Sequence, residues 1–165
     1  MTDEVFIHDE LFPILKSVPD PEIPVLSIID LGVVRHADLK NNKAEVKITP
    51  TYSGCPAMDV IGDDIKKALK ESGYEPEVQL ILAPAWTTDW MTEEGKKALK
   101  DYGIAPPMDA TSDKKALLGE EQVIPCPRCE STKTKLVSQF ASTACKAMFK
   151  CEDCEETFDY FKCLI

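Results

Sequence analysis

The sequence predicts an α+β protein in two parts: a small α/β sandwich with the element order α-β-β-α-β-α, followed by a small β-rich module. Two observations carry this prediction. In the first part, segments with apolar residues at helical spacing alternate with segments of strand character. In the second part, short strand-like segments are punctuated by cysteine pairs. We therefore expect a first domain at residues 1–105, a linker at 106–122 and a second domain at 123–165.

Three helices are predicted in the first domain, the first two from helical spacing and the Pro or Gly that follows each segment, and the third from Thr92 as its cap and Gly103 as its end. They cover residues 10–17, 57–72 and 92–103. Strand character predicts the apolar segment 26–35, with a bend at Gly32, and the segments 44–48 and 77–82. Asn41-Asn42 is a turn signal that would join the first two strands in a hairpin. Trp86, Trp90 and Tyr102 are interpreted as a packing cluster, because aromatic residues near helix ends usually belong to a core.

The strands of the second domain are expected at Thr134–Phe140, Ala147–Lys150 and Thr157–Phe161. Each of these segments is rich in residues that favour strands, and the cysteine pairs lie between them. The linker is rich in Pro, Asp, Ser and Lys and shows no periodicity.

The charge of the chain is unevenly distributed. The net charge is −10, and residues 123–165 hold six Lys/Arg and six Asp/Glu, so the whole excess lies in residues 1–122. A strongly negative surface repels phosphate backbones, which disfavours nucleic acid as a partner. No apolar run approaches 18 residues, and the acidic N-terminus lacks the features of a signal peptide. We expect a cytoplasmic protein without a membrane partner.

The cysteine spacing predicts a metal site in the second domain. Cys126-Pro-Arg-Cys129 and Cys151-Glu-Asp-Cys154 are separated by 21 residues, which leaves room for the hairpin of a zinc ribbon. Four thiolates suit tetrahedral Zn²⁺, and the same geometry suits iron, so the residues leave the metal open. A module of about 40 residues buries too little apolar surface to fold unaided, and the metal would supply the missing stability.

Cys145 and Cys163 remain outside this spacing, and two interpretations stay open. Both could be buried small apolar side chains, which is common for free cysteine. Alternatively they form a second thiolate pair that handles iron or a persulfide, since the neighbouring Lys146 and Lys162 would lower the pKa of each thiol.

The first domain has one cysteine, Cys55, just before the predicted helix 57–72. A thiolate there would face a helix N-terminus, which favours negative charge; the alternative is a buried thiol that packs the strand–helix corner. Asp20 and Glu22 lie in a loop stiffened by three prolines and are held at defined positions. The alternative for these carboxylates is a simple capped turn.

Several motifs resemble known families. Asp20-Pro-Glu22-Ile-Pro-Val, Leu31-Gly32-Val-Val and Thr51-x-x-Gly54-Cys55-Pro56 resemble the SufT-like domain of iron–sulfur assembly factors. Nearly the whole chain resembles the phenylacetate-degradation D subunit family (PaaD, also called PaaJ), which accompanies phenylacetyl-CoA epoxidase. The motifs that carry this second resemblance are Pro84-Ala-Trp86-Thr-Thr-Asp-Trp90-Met, Ser142-Thr-Ala-Cys145-Lys-Ala and Phe158-Asp-Tyr-Phe-Lys-Cys163, together with the two cysteine pairs.

This resemblance implies an accessory role outside the catalytic complex. The family is thought to help mature an iron–sulfur or di-iron component of the epoxidase, with the iron–sulfur reductase subunit as the expected partner. Cys55 then becomes the candidate thiolate for iron or a transient iron–sulfur cluster, with Asp20 and Glu22 nearby. We therefore expect a maturation factor for a partner subunit and not an enzyme.

Two other functions compete with this expectation. One is an enzyme, either a thiol-redox protein or a small oxygenase subunit that acts through Cys145 and Cys163. The other is an interaction module whose ribbon docks partners. The sequence contains no glycine-rich phosphate loop and no Gly-x-Ser-x-Gly, and its two histidines form no recognisable dyad, which weakens the enzyme hypothesis.

Overall fold

A computed structural model describes residues 5–52, 54–108, 123–141, 143 and 145–161. The chain divides into two compact units, and the first comprises Met1–Trp86 and Trp90–Thr92. The second comprises Thr87–Asp89 and Glu93–Ile165. This division assigns the segment 93–105 to the second unit, whereas the sequence grouped it with the first domain, and the predicted domain limits stay a prediction. Among the described residues, no helix has the length and hydropathy needed to cross a membrane.

The first unit contains one four-stranded sheet and three helices. Its elements are β1 (Phe6–Ile7), α1 (Phe12–Lys16), α2 (Ile28–Leu31), β2 (Val34–Lys40), β3 (Lys43–Ile48), α3 (Ala57–Glu71) and β4 (Glu75–Leu80). The strand order is β1-β2-β3-β4; β2 and β3 are antiparallel, and the two outer pairs are parallel. The α+β class is confirmed, as are the predicted hairpin, the long helix and the strand that follows it.

The β2–β3 hairpin forms because its turn residues tolerate a left-handed backbone. Asn41 and Asn42 have φ values of 49° and 71°. Positive φ at both central residues matches the right-handed twist of the flanking strands, and Asn accepts this conformation more readily than most residues. The hairpin places Ala44 and Val46 on the buried face of β3.

Helix α3 is held by the apolar stripe that its sequence predicted. Ile61, Ile65 and Leu69 are each at most 1% exposed. Burying a side chain of this size stabilises the fold by about 1.5–3 kcal/mol. The stripe therefore fixes the orientation of α3 on the sheet, and with it the position of the loop that precedes the helix.

The segment 26–35 was predicted as a strand, but it contains helix α2, and the strand of the hairpin begins only at Val34. Ser27 caps α2, because its Oγ accepts the backbone N–H of Asp30 at 3.1 Å. The helix ends at Gly32, which has a φ of 79°. Thr92 Oγ1 donates to Asp30 Oδ1 at 2.9 Å, and its role as a helix cap stays a prediction. Trp86, as expected, is buried, and its Nε1 donates to the carbonyl oxygen of Leu31 at 2.9 Å.

The second unit contains the cysteine-rich sheet. Its elements are α4 (Glu93–Tyr102), β5 (Ile104–Ala105), β6 (Thr134–Ser138), β7 (Lys146–Cys151) and β8 (Thr157–Phe161). The strand order is β5-β8-β7-β6, with β6, β7 and β8 antiparallel and β5 parallel to β8. Phe149 packs between Phe158 and Tyr160, with ring centroids 5.9 and 5.8 Å apart. The three predicted strands are confirmed, but Tyr102 is 58% exposed, so its assignment to a packing cluster was wrong.

Candidate metal centre and thiol site

The structure brings the four cysteines of the two Cys-x2-Cys pairs together. Every Sγ of this group lies within 4.8 Å of the others. The close pairs join the two halves: Cys126 Sγ lies 3.8 Å from Cys154 Sγ, and Cys129 Sγ lies 3.5 Å from Cys151 Sγ. A tetrahedral ion with Zn–S bonds of roughly 2.3 Å separates its sulfurs by about 3.8 Å. The four side chains therefore fit one tetrahedral ion, with Zn²⁺ and iron both suited to the donor set.

Two turns of similar construction carry these ligands, and we call residues 126–131 the first knuckle and residues 151–156 the second knuckle. In the first, the N–H of Cys126 donates to the carbonyl oxygen of Ser131 at 2.9 Å. In the second, the N–H of Cys151 donates to the carbonyl oxygen of Glu156 at the same distance. Glu130 and Glu155 follow the second cysteine of each knuckle and both have a φ of 61°. Each turn thus folds back on itself and directs two sulfurs to one point.

The thiols of the centre differ in how readily they lose a proton. The backbone N–H of Cys154 donates to Cys151 Sγ and, against the effect of burial, lowers the pKa of Cys151 to about 7. The N–H of Ser131 acts in the same direction on Cys129, but the bonds from this thiol to the other three cysteines and its partial desolvation together outweigh the N–H and raise the pKa of Cys129 to about 12. One thiolate therefore forms near neutral pH, and a bound cation would displace the remaining protons.

Charged side chains of residues 128–135 pair with carboxylates of the second knuckle. Three such pairs lie among the described residues, all with exposed partners: Arg128–Glu156 at 3.7 Å, Lys133–Asp153 at 3.7 Å and Lys135–Glu152 at 3.2 Å. Exposed ion pairs of this kind each stabilise a fold by at most about 1 kcal/mol. In all three pairs the cation lies in residues 128–135 and the carboxylate in the second knuckle, so together the pairs favour the closed arrangement of the two knuckles.

Cys145 does not belong to the metal centre. It lies immediately before β7, whereas Cys151 is the last residue of that strand, so the two are separated by roughly 20 Å of extended chain. Cys145 is 4% exposed, and its Sγ lies 3.1 Å from Thr143 Oγ1. This burial agrees with the packing interpretation. Cys163 and Lys162 lie outside the described residues, so a thiol pair with Cys163 stays a prediction.

Cys55 lies where the chain turns from the sheet into α3. The preceding Gly54 has a φ of 77°, and Pro56 is the N-cap residue of the helix. The thiol is half-buried, and burial raises its pKa, although the N–H of Ala57 and the hydroxyl groups of Tyr52 and Thr51 act in the opposite direction. The expected stabilisation of a thiolate by the helix terminus is therefore present but outweighed.

The proline-rich loop brings Glu22 towards this thiol. The Glu22 carboxylate is close enough to contribute to the raised pKa of Cys55. Asp20 is 5% exposed, and its Oδ1 accepts the N–H groups of Glu22 at 2.9 Å and Ile23 at 2.8 Å. Asp20 thus forms the capped turn that was the alternative interpretation, and it positions Glu22. A direct role of Asp20 towards a metal stays a prediction.

Several groups that donate to the sulfurs were not predicted from the sequence. Thr51 and Tyr52 act on Cys55, while Ser131 and Asp153 act on the metal centre through their backbone N–H groups. A hydroxyl within four residues of a cysteine was the available signal for the first pair. No comparable signal marks the second pair, because its backbone N–H groups reach the sulfurs only once the knuckles have formed.

Two family models match the chain, one in each part. The model described as iron-sulfur cluster assembly protein matches residues 8–80, and the model described as PaaD zinc beta ribbon domain matches residues 110–162. A crystal structure of a domain of unknown function, DUF59, from Bacillus anthracis has a TM-score of 0.52 and 34% sequence identity. That match covers 55% of this chain and 89% of the other. Fold and sites thus define an iron–sulfur assembly domain joined to a zinc ribbon.

Two relatives of known name show more specifically which family the chain belongs to. The chain is 48% identical over 156 residues to the "Putative 1,2-phenylacetyl-CoA epoxidase" D subunit of Escherichia coli (strain K12), covering 94% of this chain and 92% of that protein. It is 33% identical over 99 residues to the "Fe-S protein maturation auxiliary factor YitW" of Bacillus subtilis (strain 168), covering 58% of this chain and 96% of that protein. The chain therefore belongs to the family of 1,2-phenylacetyl-CoA epoxidase D subunits.

Proposed function

We propose that this chain is a non-catalytic maturation factor of the cytoplasm. It assists the assembly of iron or an iron–sulfur cluster on a partner subunit of phenylacetyl-CoA epoxidase. One observation carries the proposal: the thiol of Cys55, two residues before α3, has backbone and hydroxyl donors and the Glu22 carboxylate close to it. The likeness of the first unit to proteins named as iron–sulfur maturation factors supports it.

The environment of Cys55 suits a ligand that binds a cationic cargo and releases it. Burial and the Glu22 carboxylate raise the pKa of this thiol, so it is protonated in the resting protein at neutral pH. An approaching iron cation is attracted by Glu22 and favours loss of the thiol proton. The N–H of Ala57 and the hydroxyl of Thr51 then stabilise the thiolate. When the cargo leaves, the proton returns to the sulfur.

A single thiolate also makes the contact temporary. Stable iron–sulfur clusters are held by several cysteines, commonly four. Among the described cysteines of the first unit, Cys55 stands alone, so a partner must supply the other ligands. The cargo would therefore pass to a client that offers more thiolates, and the iron–sulfur reductase component of the epoxidase is the client that we propose.

The zinc ribbon serves structure in this proposal. Cys126, Cys129, Cys151 and Cys154 would hold the ion, which supplies folding stability to a module with a small core. We assign zinc to this site because four-thiolate ribbons are typical zinc sites, with iron as the competing metal.

The test compares client maturation by the full chain and by Cys55→Ser. The epoxidase subunits are produced with each variant, and iron and acid-labile sulfide are counted per reductase chain. We expect Cys55→Ser to abolish the gain in cluster content while zinc stays at one ion per accessory chain. Cys145→Ser is the matched control, since it removes a thiol outside the proposed site. Full client maturation by Cys55→Ser would contradict the proposal, and a loss confined to Cys145→Ser would favour the thiol-redox function.

A further inference from the structure

Ser131 is bonded to both halves of the metal centre. Its carbonyl oxygen accepts the N–H of Cys126 at 2.9 Å, and its own N–H donates to Cys129 Sγ. These backbone bonds close the first knuckle. Its hydroxyl group donates to Asp153 Oδ2 in the second knuckle and accepts the N–H of Lys133 at 3.1 Å. The side chain of Ser131 therefore forms a direct hydrogen bond from one ligand turn to the other.

Asp153 has a matching position in the second knuckle. It lies between the ligands Cys151 and Cys154, and its N–H donates to Cys151 Sγ. Its other carboxylate oxygen, Oδ1, lies 3.7 Å from Lys133 Nζ. Each carboxylate oxygen thus has a partner from the first half of the ribbon. The Ser131–Asp153 bond joins one residue whose N–H contacts Cys129 Sγ to another whose N–H contacts Cys151 Sγ, and these sulfurs are only 3.5 Å apart.

We propose that the Ser131–Asp153 hydrogen bond positions the two knuckles for metal binding and sets how slowly the metal leaves. Each knuckle supplies two thiolates, so an ion can depart only when the knuckles move apart. A bond across the gap, from Ser131 two positions after Cys129 to Asp153 next to Cys154, opposes this separation. When a group that holds a metal ligand in place without binding the metal is removed by mutation, metal affinity typically falls about 10–100-fold. Ser131 and Asp153 are positioning residues, since neither contacts the metal.

The bond also matters because the metal centre is open to solvent on one side. Cys129 is exposed, so water and competing chelators reach the centre from one side. The surrounding ion pairs are exposed and weak, and salt screens them. A hydrogen bond from a neutral hydroxyl to a carboxylate is directional and less sensitive to salt. It therefore gives the site a fixed geometry that the ion pairs alone do not provide.

The experiment measures the rate at which the zinc-loaded full chain gives up its ion to an excess of a chromogenic chelator. We compare Ser131→Ala, Asp153→Ala and the double variant with the unsubstituted chain. We expect each single variant to lose zinc about 10-fold faster or more. The double variant should lose it no faster than the quicker single variant, because both substitutions break the same bond. Ser131→Thr, which keeps the hydroxyl group, should restore slow loss.

Two controls separate positioning from general stability. Ser138→Ala removes another side-chain hydrogen bond of the ribbon, from Oγ to the carbonyl oxygen of Phe140 at 2.7 Å, and should leave zinc loss unchanged. Lys133→Met removes the ion pair to Asp153 and should change it little. The visible spectrum of the cobalt-substituted variants should still show four-thiolate tetrahedral coordination, because the ligands themselves are intact.

Several outcomes would overturn the inference. Zinc loss from Ser131→Ala at the rate of Ser138→Ala would show that the bond is an incidental surface contact. Additive effects in the double variant would show that the two side chains act independently. If Ser131→Ala takes up no metal, Ser131→Thr decides: slow loss supports the positioning role, and failure to load or fast loss contradicts it.

Discussion

The backbone of Trp90 leaves no room for a side chain at Gly32. A Cβ on Gly32 would lie 2.5 Å from the carbonyl oxygen of Trp90, closer than any ordinary contact. Gly32 also has a φ of 79°, a conformation that side chains disfavour. The Arg35 guanidinium carbon lies 3.5 Å from the centroid of the Trp90 ring. The end of α2 and the segment around Trp90 are therefore mutually dependent.

The first prediction concerns this contact. Gly32→Ala should lower the free energy of unfolding by about 1–2 kcal/mol for its φ and by about 1–3 kcal/mol more for the clash. Urea denaturation followed by circular dichroism measures the change. Gly73→Ala is the matched control, because Gly73 has a φ of 89° but no atom lies within 4 Å of the position that its Cβ would take. If the free energy of unfolding falls equally in the two variants, the close approach of Trp90 to Gly32 does not contribute to the destabilisation.

The second prediction concerns the Cys55 thiol. The Glu22 carboxylate disfavours the thiolate and so contributes to the raised pKa of Cys55. Removing this charge in Glu22→Gln lowers the pKa of Cys55, so at any pH below it a larger fraction of the thiol is ionised. Alkylation by iodoacetamide, read by mass spectrometry of the Cys55 peptide between pH 7 and 9, should therefore be faster in the variant.

Glu75→Gln, a change on the edge strand β4, is the control for general charge effects and should leave the rate unchanged. An unchanged alkylation profile in Glu22→Gln would mean that the carboxylate does not act on the thiol. The assignment of Glu22 to the cargo site would then lose its support.

The sequence was sufficient to predict helices and strands whose pattern of apolar residues is visible within the element itself. The apolar stripe of α3 and the alternation of β3 extend over enough residues for a period to be recognised. The strand β1 has two residues and α2 has four, too few for either period. Strand β1 pairs with β2, and α2 receives hydrogen bonds from Trp86 and Thr92, which are distant in the chain. Tyr102 illustrates the same limit, because its helical position did not reveal that it faces solvent.

The functional sites also contain some features that the sequence predicted and others that it did not. The spacing of the two Cys-x2-Cys pairs predicted the group of four sulfurs, since each tight turn fixes two of them. The proximity of Glu22 to Cys55 depends on how the proline loop packs near the start of α3, which local patterns do not encode. The same holds for the Ser131–Asp153 bond, which exists only when the knuckles face each other.

The third prediction concerns the left-handed residue of the second knuckle. Glu155 has a φ of 61°, a conformation that costs a non-glycine residue about 1–2 kcal/mol. Glu155→Gly should therefore stabilise the zinc-loaded second unit by about 1 kcal/mol, offset in part by the greater freedom of glycine in the unfolded chain. Thermal unfolding followed by calorimetry measures the change.

Glu156→Gly is the control for this substitution, because Glu156 has no positive φ and glycine should destabilise this position. Glu156→Ala corrects for the loss of the ion pair between Glu156 and Arg128. Glu130→Gly is less informative, since Glu130 also pairs with Lys100 Nζ at 2.7 Å. A lower melting temperature for Glu155→Gly would show that the glutamate side chain supplies contacts that outweigh its backbone strain.

The fourth prediction concerns removal of the metal. The ligands Cys126 and Cys151 are buried in the same core as Ile124, Phe149 and Tyr160, so the metal centre and the apolar core form one cooperative structure. A strong chelator should therefore abolish hydrogen-exchange protection in β6, β7 and β8, and in β5 because it pairs with β8. The amides of α3 and β3, whose core is formed by the first unit, should keep their protection.

Adding Zn²⁺ back should restore protection in all four strands together, because the four thiolates and the core reassemble in one step. Mass spectrometry of peptides from both units, before and after chelation, provides the measurement and its internal control. Protection of β7 that survives complete zinc removal would mean that Phe149, Phe158 and Tyr160 form a stable core unaided. Metal binding would then depend on a preformed ribbon, and the Ser131–Asp153 bond would close a site that the fold had already built.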